Sequence, residues 1–103
     1  MTSGIYKIYN VQNGNIYIGS SANLESREKT HFSFLSSGSH HSRHLQSSYN
    51  KYGREAFIFE VIEYCDKSKL IEREQFYINM LQPAYNVSPK AWSCFGIKRT
   101  PEN

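Results

Sequence analysis

The stretch GIYKIYNVQNGNIYIGS, residues 4–20, predicts a β-hairpin and sets the fold of the chain. Two short runs rich in Ile and Tyr, residues 4–10 and 15–20, have the composition of β-strands. Between them lies the pair Asn13-Gly14, which is typical of a tight turn between antiparallel strands. The chain therefore begins with two antiparallel strands close in sequence.

The hairpin places two tyrosines on a common face. If Asn13 and Gly14 are the two central turn residues, Tyr6 and Tyr17 share a face, because side chains alternate along a strand. A longer loop that shifts the register by two residues keeps this parity and brings the two phenols closer, as diagonal neighbours. The sequence allows both registers.

A helix is predicted directly after the hairpin. Asn23 is a suitable N-cap, because its side chain can accept a hydrogen bond from the first turn of a helix. Leu24, His31 and Leu35 then fall on one stripe at the helical period, with Arg27 at its edge. We expect this stripe to pack against the sheet.

The rest of the chain predicts two more helices and one more strand. The order ββααβα indicates an α+β fold, in which helices flank a small central antiparallel sheet made of the hairpin and the later strand. The later strand is apolar on both faces apart from two glutamates, which favours a central position. We expect helices over residues 23–36, 42–52 and 67–81, the strand over residues 57–64, and a short extended return over residues 84–89.

Composition supports one soluble domain. A chain of 103 residues can bury one core, and residues 1–89 are predicted to form it, while residues 90–103 lack a sustained period and are interpreted as a tail or the start of a linker. A mean hydropathy of −0.61 argues against a membrane span. The N-terminus has no apolar signal-like run, so we expect a cytoplasmic protein with Cys65 and Cys94 as free thiols.

Glu74 is the residue that most needs an explanation, because it lies in the middle of an apolar helical stripe. Moving an unpaired carboxylate into apolar surroundings costs several kcal/mol or more. Arg73 is a poor partner, because adjacent helical residues point about 100° apart. We therefore expect a cation from elsewhere in the fold or a metal ion from solution. The other members of the stripe are Leu70, Ile71, Tyr77, Ile78 and Leu81.

Gly4-Ile5-Tyr6 and Tyr17-Ile18-Gly19, followed by Arg27 and Glu74, resemble the GIY-YIG nuclease domain. The resemblance runs from about residue 3 to residue 86 and includes both signature tripeptides intact. Among members of that family, the chain is most similar to the catalytic domains of phage homing endonucleases encoded in mobile introns. The stretches SGIYKIYN, YIGSS, LQSSYNKYG and IEREQFYI carry this closer similarity.

The resemblance implies a metal-dependent endonuclease that hydrolyses DNA phosphodiester bonds. It implies that Glu74 binds the metal, that Arg27 binds a phosphate, and that Tyr6 and Tyr17 are catalytic phenols. It also implies supporting roles for three further residues: His31, His40 and Asn86. His40 is chosen over the adjacent His41 from ungapped spacing alone.

The chemistry is consistent with these residue types. A single carboxylate suits Mg²⁺ (or Mn²⁺), which usually keeps several waters and binds one or two carboxylates with the substrate phosphate, so we infer one ion. A tyrosine acts as a general base only if its phenolate is favoured, and we expect Arg27, a histidine and the metal to lower its pKa. Tyr6 is the preferred base, with Tyr17 and His40 assisting, although the two tyrosines can be exchanged in this scheme.

Other functions fit parts of the sequence. A stand-alone repair or structure-selective nuclease would share the same fold, and a non-catalytic nucleic-acid-binding module could retain it. His40 and His44 could ligate zinc with His41 or a cysteine, but no Cys-x-x-Cys pair supports a closed site. The net charge of +3 predicts weak DNA binding by a monomeric catalytic domain. In such enzymes a DNA-targeting module would attach after Pro89.

Overall fold

The computed structural model describes residues 2–86, which form a three-stranded antiparallel sheet flanked by three helices. This confirms the predicted α+β fold and the order ββααβα. Short 3-10 turns precede β3 and α3, at Arg54–Ala56 and Lys67–Lys69. The elements are β1 (Gly4–Asn10), β2 (Ile16–Ser21), α1 (Leu24–Ser37), α2 (Arg43–Tyr52), β3 (Phe57–Tyr64) and α3 (Leu70–Leu81).

The hairpin uses the longer of the two loops that the sequence allowed. Asn10 and Asn15 close the loop with a backbone hydrogen bond of 3.0 Å, and Gly14 has a φ of +78°, which a residue with a side chain rarely adopts. Tyr17 therefore lies opposite Ile8 in the register of the two strands. The phenols of Tyr6 and Tyr17 are diagonal neighbours on one face.

The prediction that residues 57–64 form the central strand is wrong. The strand order is β2-β1-β3, so β1 is central and β3 lies at the edge of the sheet. β1 has hydrogen-bonded neighbours on both sides, and its Ile5 and Ile8 are completely buried. Ile58 of β3 is exposed. The apolar composition of both faces of β3 therefore did not predict its position in the sheet.

The two faces of the sheet carry separate cores. Helices α1 and α2 cover the face that bears the tyrosines, whereas α3 covers the other face, with Ile78 packed on Ile5 and Ile18. Asn23 caps α1 as predicted, since its side chain accepts from Ser26 N, and Ser42 caps α2 by accepting from Leu45 N. The tyrosine-bearing face also buries Ile8, Leu24, Leu35, Leu45, Ala56, Phe57 and Tyr85.

The apolar stripe of α3 is narrower than the sequence predicted. Ile78 and Glu74 are buried, but Ile71 and Leu81 are 48% and 43% exposed. The helix lies mainly against β2 and reaches over only part of β1. Its flanks therefore remain open to solvent while the centre of the stripe, including the acid, is covered.

Three sequence predictions fall wholly or partly outside the described residues. The extended return over 84–89 is a turn at Ala84 and Tyr85, and residues 87–89 lie beyond the described part. Cys65 is a free thiol, as predicted, while Cys94 and the tail over residues 90–103 are outside. Within residues 2–86, no helix has the length and apolar character needed to span a membrane.

Candidate active site

Glu74 is buried beneath the edge of the sheet with a hydroxyl as its polar partner. Its side chain accepts a hydrogen bond from Ser20 Oγ, and the residue is 8% exposed. Ser20 follows Gly19 in β2 and points toward α3, because its neighbours on either side face the tyrosines. Burial raises the pKa of Glu74 to about 7, against smaller lowering effects of Ser20 and of the charge of Arg27.

The neighbouring arginine does not neutralise this acid. Arg73 instead forms a bidentate pair with Glu63, with Nε to Oε2 and Nη2 to Oε1 both at 2.9 Å. Tyr77 donates to the same carboxylate at 2.8 Å. Among residues 2–86, no Lys or Arg forms a salt bridge with Glu74. The expectation that Arg73 cannot serve Glu74 is confirmed.

The two phenols flank one imidazole on the opposite face of the sheet. The ring centroids of Tyr6 and Tyr17 each lie 5.3 Å from the His31 ring, in edge-on orientation. Tyr6 Oη is hydrogen-bonded to His31 Nε2. Tyr6 also passes directly over Gly19, where any Cβ would collide with the phenol. The glycine of the second tripeptide therefore makes room for the tyrosine of the first.

His40 and His41 have different partners, which settles where each lies. His40 Nε2 is 2.6 Å from His31 Nδ1, and this pair is buried behind Tyr6. His41 Nε2 is 2.9 Å from Tyr17 Oη, and its residue is exposed at the surface. The two rings are stacked, with centroids 4.5 Å apart, and yet their Nε2 atoms reach different partners. Ungapped spacing favoured His40 over His41 and did not indicate that both contact the site.

The phenols differ from the sequence expectation in their acidity. Burial raises the pKa of Tyr6 well above its ordinary value, and it also raises the pKa of Tyr17. The Tyr17 and Glu74 charges add to the rise for Tyr6, whereas the charge of Arg27 lowers the pKa of both phenols by less. The protein's own groups therefore do not produce the expected net lowering, because desolvation outweighs Arg27.

Arg27 is an exposed guanidinium beside this cluster. Its side chain makes no hydrogen bond or salt bridge with any other residue of the described range, yet its charge lowers the pKa of Glu74 and of both phenols. It lines an open cleft of about 390 Å³ with residues at the start of α1. The arrangement leaves all of its N–H donors available to an anion.

Asn86 has a structural contact that its predicted supporting role did not specify. Its side-chain oxygen accepts from Ile18 N at 2.8 Å, and its side-chain nitrogen donates to Ile18 O at 2.9 Å. These bonds satisfy the backbone groups of Ile18 on the side of β2 that faces away from β1. Asn86 thus holds the strand that carries Tyr17, and it lies apart from the hydrogen bonds of the histidines.

Sequence reasoning missed Ser20 and Ser42 as parts of the site. A signal existed for Ser20, since strand alternation puts it on the face opposite Tyr17, where α3 and Glu74 pack. Ser42 was expected only as a residue of the second helix, but its backbone amide also donates to His40 Nδ1 at 3.0 Å. No pattern in the sequence could reveal that contact.

Comparison with known proteins identifies the family. The family model described as the GIY-YIG catalytic domain matches residues 2–86, which include every candidate site residue. The chain belongs to the GIY-YIG family. The likeness inferred from the two tripeptides is thereby confirmed.

Relatives and solved structures agree with this assignment. The chain is 44% identical over 98 residues to intron-associated endonuclease 1 of Enterobacteria phage T4, covering 93% of this chain and 40% of that protein. Two solved structures of the catalytic domain of the homing endonuclease I-TevI match this GIY-YIG domain, one of them a mutant. The mutant matches with a TM-score of 0.81 at 38% identity, covering 88% of this chain and 98% of that one. The other has a TM-score of 0.78 at 40% identity, covering 84% and 98%.

Proposed function

We propose that this GIY-YIG domain is the catalytic domain of a Mg²⁺-dependent DNA endonuclease, in the setting of a homing endonuclease. The observation that carries the proposal is a buried acid without a basic partner in the described range, whose charge raises the pKa of both phenols, together with an unengaged guanidinium whose charge lowers the pKa of all three groups. The T4 relative is named an intron-associated endonuclease, which supports the same reaction. This chain spans 40% of that relative, so the activity is proposed for the domain.

Glu74 fits a single hard cation. Its pKa of about 7 reflects the cost of an ionised carboxylate in a buried position, and a divalent ion beside it would offset that cost. Within residues 2–86, no group of three or more His, Cys, Asp or Glu side chains could hold a metal ion. One carboxylate suits Mg²⁺ or Mn²⁺, because water molecules and a substrate phosphate would complete the coordination shell of the ion. When bound, the ion would polarise the phosphate and stabilise the leaving oxygen.

Arg27 and the two phenols would supply the remaining chemistry. Arg27 matches the two non-bridging oxygens of a phosphate by its planar fork and would stabilise the charge that develops on them. Tyr6 would act as the general base, with its oxygen held by His31. Tyr17, hydrogen-bonded to His41, would orient the attacking water from the neighbouring position.

The partner of this domain is DNA, bound through phosphate contacts. A net charge of +3 provides few such contacts, so the isolated domain would bind weakly and read little sequence. We place the domain in the bacterial or phage-infected cytoplasm as a monomer. A DNA-targeting module attached after residue 89 would supply the specificity.

A plasmid-nicking assay tests the proposal. Supercoiled plasmid is incubated with the parent chain, with Glu74→Gln and with Arg27→Ala, each in Mg²⁺ and in EDTA. We expect the parent to nick DNA only in Mg²⁺ and both variants to fall toward background. Equal background in every sample would contradict an enzyme and favour a non-catalytic nucleic-acid-binding module.

Cleavage of defined DNA duplexes separates the second enzymatic candidate. A stand-alone repair or structure-selective nuclease would cut nicked, flapped or branched duplexes in preference to an intact one. The similarity to intron-associated endonucleases favours cleavage of intact duplex DNA. Rates on an intact duplex and on a flap of the same sequence, measured with the same preparation, decide between the two.

A further inference from the structure

A line of hydrogen bonds runs from the start of α2 to the oxygen of Tyr6. The backbone amide of Ser42 donates to His40 Nδ1 at 3.0 Å, and His40 Nε2 lies 2.6 Å from His31 Nδ1. His31 Nε2 then contacts Tyr6 Oη. All four residues are buried, so bulk water does not compete for these bonds. The line connects residues that are distant in sequence but adjacent in space.

The direction of every bond follows from its first member. A backbone N–H can only donate, so Nδ1 of His40 is the unprotonated nitrogen of that ring. A neutral imidazole carries one proton, which must then be on Nε2 of His40 and point at His31 Nδ1. The same argument puts the proton of His31 on Nε2, facing Tyr6.

Both imidazoles are neutral at pH 7, as this argument requires. Burial and the neighbouring His40 lower the pKa of His31 to about 3. Burial and the neighbouring His41 lower the pKa of His40 to about 4, although the bond from Ser42 has the opposite effect. A second proton would go on Nδ1 of either ring, where it would face another donor: Nε2–H of His40 in the case of His31, and the amide of Ser42 in the case of His40.

We propose that His40 is a positioning residue whose tautomer, set by the Ser42 amide, fixes His31 as a hydrogen-bond donor to Tyr6. This inference deepens the proposed function and rests on it for its catalytic consequence. Because His31 already holds a proton on Nε2, it cannot take one from Tyr6. It stabilises the phenolate instead, and the Tyr6 proton leaves to hydroxide or water rather than to His31.

Tyr17 provides a contrast within the same site. Its partner His41 is exposed, and no residue of the described range fixes the other ring nitrogen of His41. Either tautomer of His41 is therefore allowed, and a proton can pass in either direction between Tyr17 and solvent. Tyr6 therefore has a partner that can only donate a hydrogen bond, whereas Tyr17 has a partner that can give or accept a proton.

Nitrogen NMR tests the proposal without any need for activity. In the ¹⁵N-labelled full chain at pH 7, two-bond correlations from the ring hydrogens distinguish protonated from unprotonated nitrogens of each histidine. We expect His31 and His40 both to be neutral with the proton on Nε2. A proton on Nδ1 of either ring, or a charged ring, would overturn the proposal. His44→Gln, on the exposed face of α2, helps to assign the signals.

A pair of substitutions tests the catalytic consequence. In His40→Gln the amide can accept from Ser42 and donate to His31, whereas His40→Leu has similar bulk and no donor. We expect His40→Gln to keep the His31 tautomer and the rate–pH profile. We expect His40→Leu to lower kcat about tenfold or more at unchanged KM and to shift the rise of rate with pH to higher pH.

The outcomes separate this inference from the proposed function. His44→Leu controls for loss of a histidine on the same helix and should leave the profile unchanged. A His40→Leu variant that keeps both the His31 tautomer and the profile would refute the positioning role. If the parent chain does not cut DNA, the proposed function fails, but the NMR measurement on the parent still decides the hydrogen-bond direction.

Discussion

The two faces of the sheet treat buried polar groups in opposite ways. On the face covered by α1 and α2, His31 and His40 are linked to each other and to their neighbours by hydrogen bonds. Gln46 of the same layer donates to Leu35 O at 3.0 Å and accepts from His40 N at 3.0 Å. On the face covered by α3, the core is apolar and Glu74 has one hydroxyl partner, Ser20.

The contrast separates the buried groups that stabilise the fold from the buried group that is available for function. A buried polar group with partners stabilises one arrangement of the chain, whereas a buried acid without a basic partner costs free energy. Such a cost is tolerated at sites where the charge has a use. The hydrogen-bonded face thus builds and orients the phenols, and the apolar face presents the acid.

The largest expected effect comes from removing the charge of Glu74. We expect Glu74→Gln to reduce DNA cleavage about a thousandfold, because the carboxamide can still accept from Ser20 but binds a divalent ion poorly. Single-turnover cleavage in Mg²⁺ measures the effect. The matched control is Glu72→Gln, an exposed acid in the first turn of the same helix, which should cut at the parent rate. Equal losses in both variants would show that the buried acid contributes no more to cleavage than an exposed acid on the same helix.

Arg27 should give the next largest loss. We expect Arg27→Ala to reduce cleavage about a hundredfold, because one preorganised donor to a developing charge is typically worth that much. Its free energy of unfolding should change by less than about 0.5 kcal/mol, since the side chain is exposed and makes no bond in the described range. Lys29→Ala, an exposed cation on the same helix, is the control for charge alone. A marked loss of stability in Arg27→Ala would show a structural role instead.

The two faces should respond to pH with opposite signs. The folded pKa of Glu74 is about 7, above its ordinary value of 4.5, so its ionisation destabilises the fold progressively between pH 4.5 and 7. The folded pKa values of His31 and His40 are lowered from 6.5 to about 3 and about 4, so their protonation in the unfolded chain destabilises the fold as pH falls below 6.5. Lowering the pH should therefore stabilise the fold through Glu74 and destabilise it through His31 and His40.

Urea unfolding of the parent and of Glu74→Gln isolates the contribution of the acid. We expect the variant to be more stable at pH 7 by an amount on the order of 3 kcal/mol and the difference to disappear below pH 4.5. In the variant, stability should rise with pH up to about 6.5, since the histidines then dominate. A difference that stays constant with pH would mean that Glu74 ionises as freely in the fold as in the unfolded chain.

The smallest effect concerns the edge of the sheet rather than either face. We expect Asn86→Ala to lower the free energy of unfolding by about 1–3 kcal/mol, because both backbone groups of Ile18 lose their partner. Asn86→Asp keeps the acceptor for Ile18 N and loses the donor, so its loss should be smaller. Thermal unfolding of both variants measures the difference. Unchanged stability in Asn86→Ala would point to a role in the reaction instead.

Much of the fold and part of the site follow from local patterns. Strand alternation put Tyr6 and Tyr17 on one face, and the helical period marked Glu74 as an acid among apolar residues. The N-cap Asn23 begins α1 as the sequence indicated. These features depend on backbone geometry within a few residues, which is why the sequence alone determined them.

Tertiary packing decided the rest. The central place of β1 and the separate partners of His40 and His41 depend on contacts between segments far apart in the chain. The desolvation that raises the pKa of both phenols and of Glu74 likewise arises only when the sheet and helices close around them. Period and composition specify which way a side chain points along its own element, but the neighbour it meets and the water it loses are properties of the assembled fold.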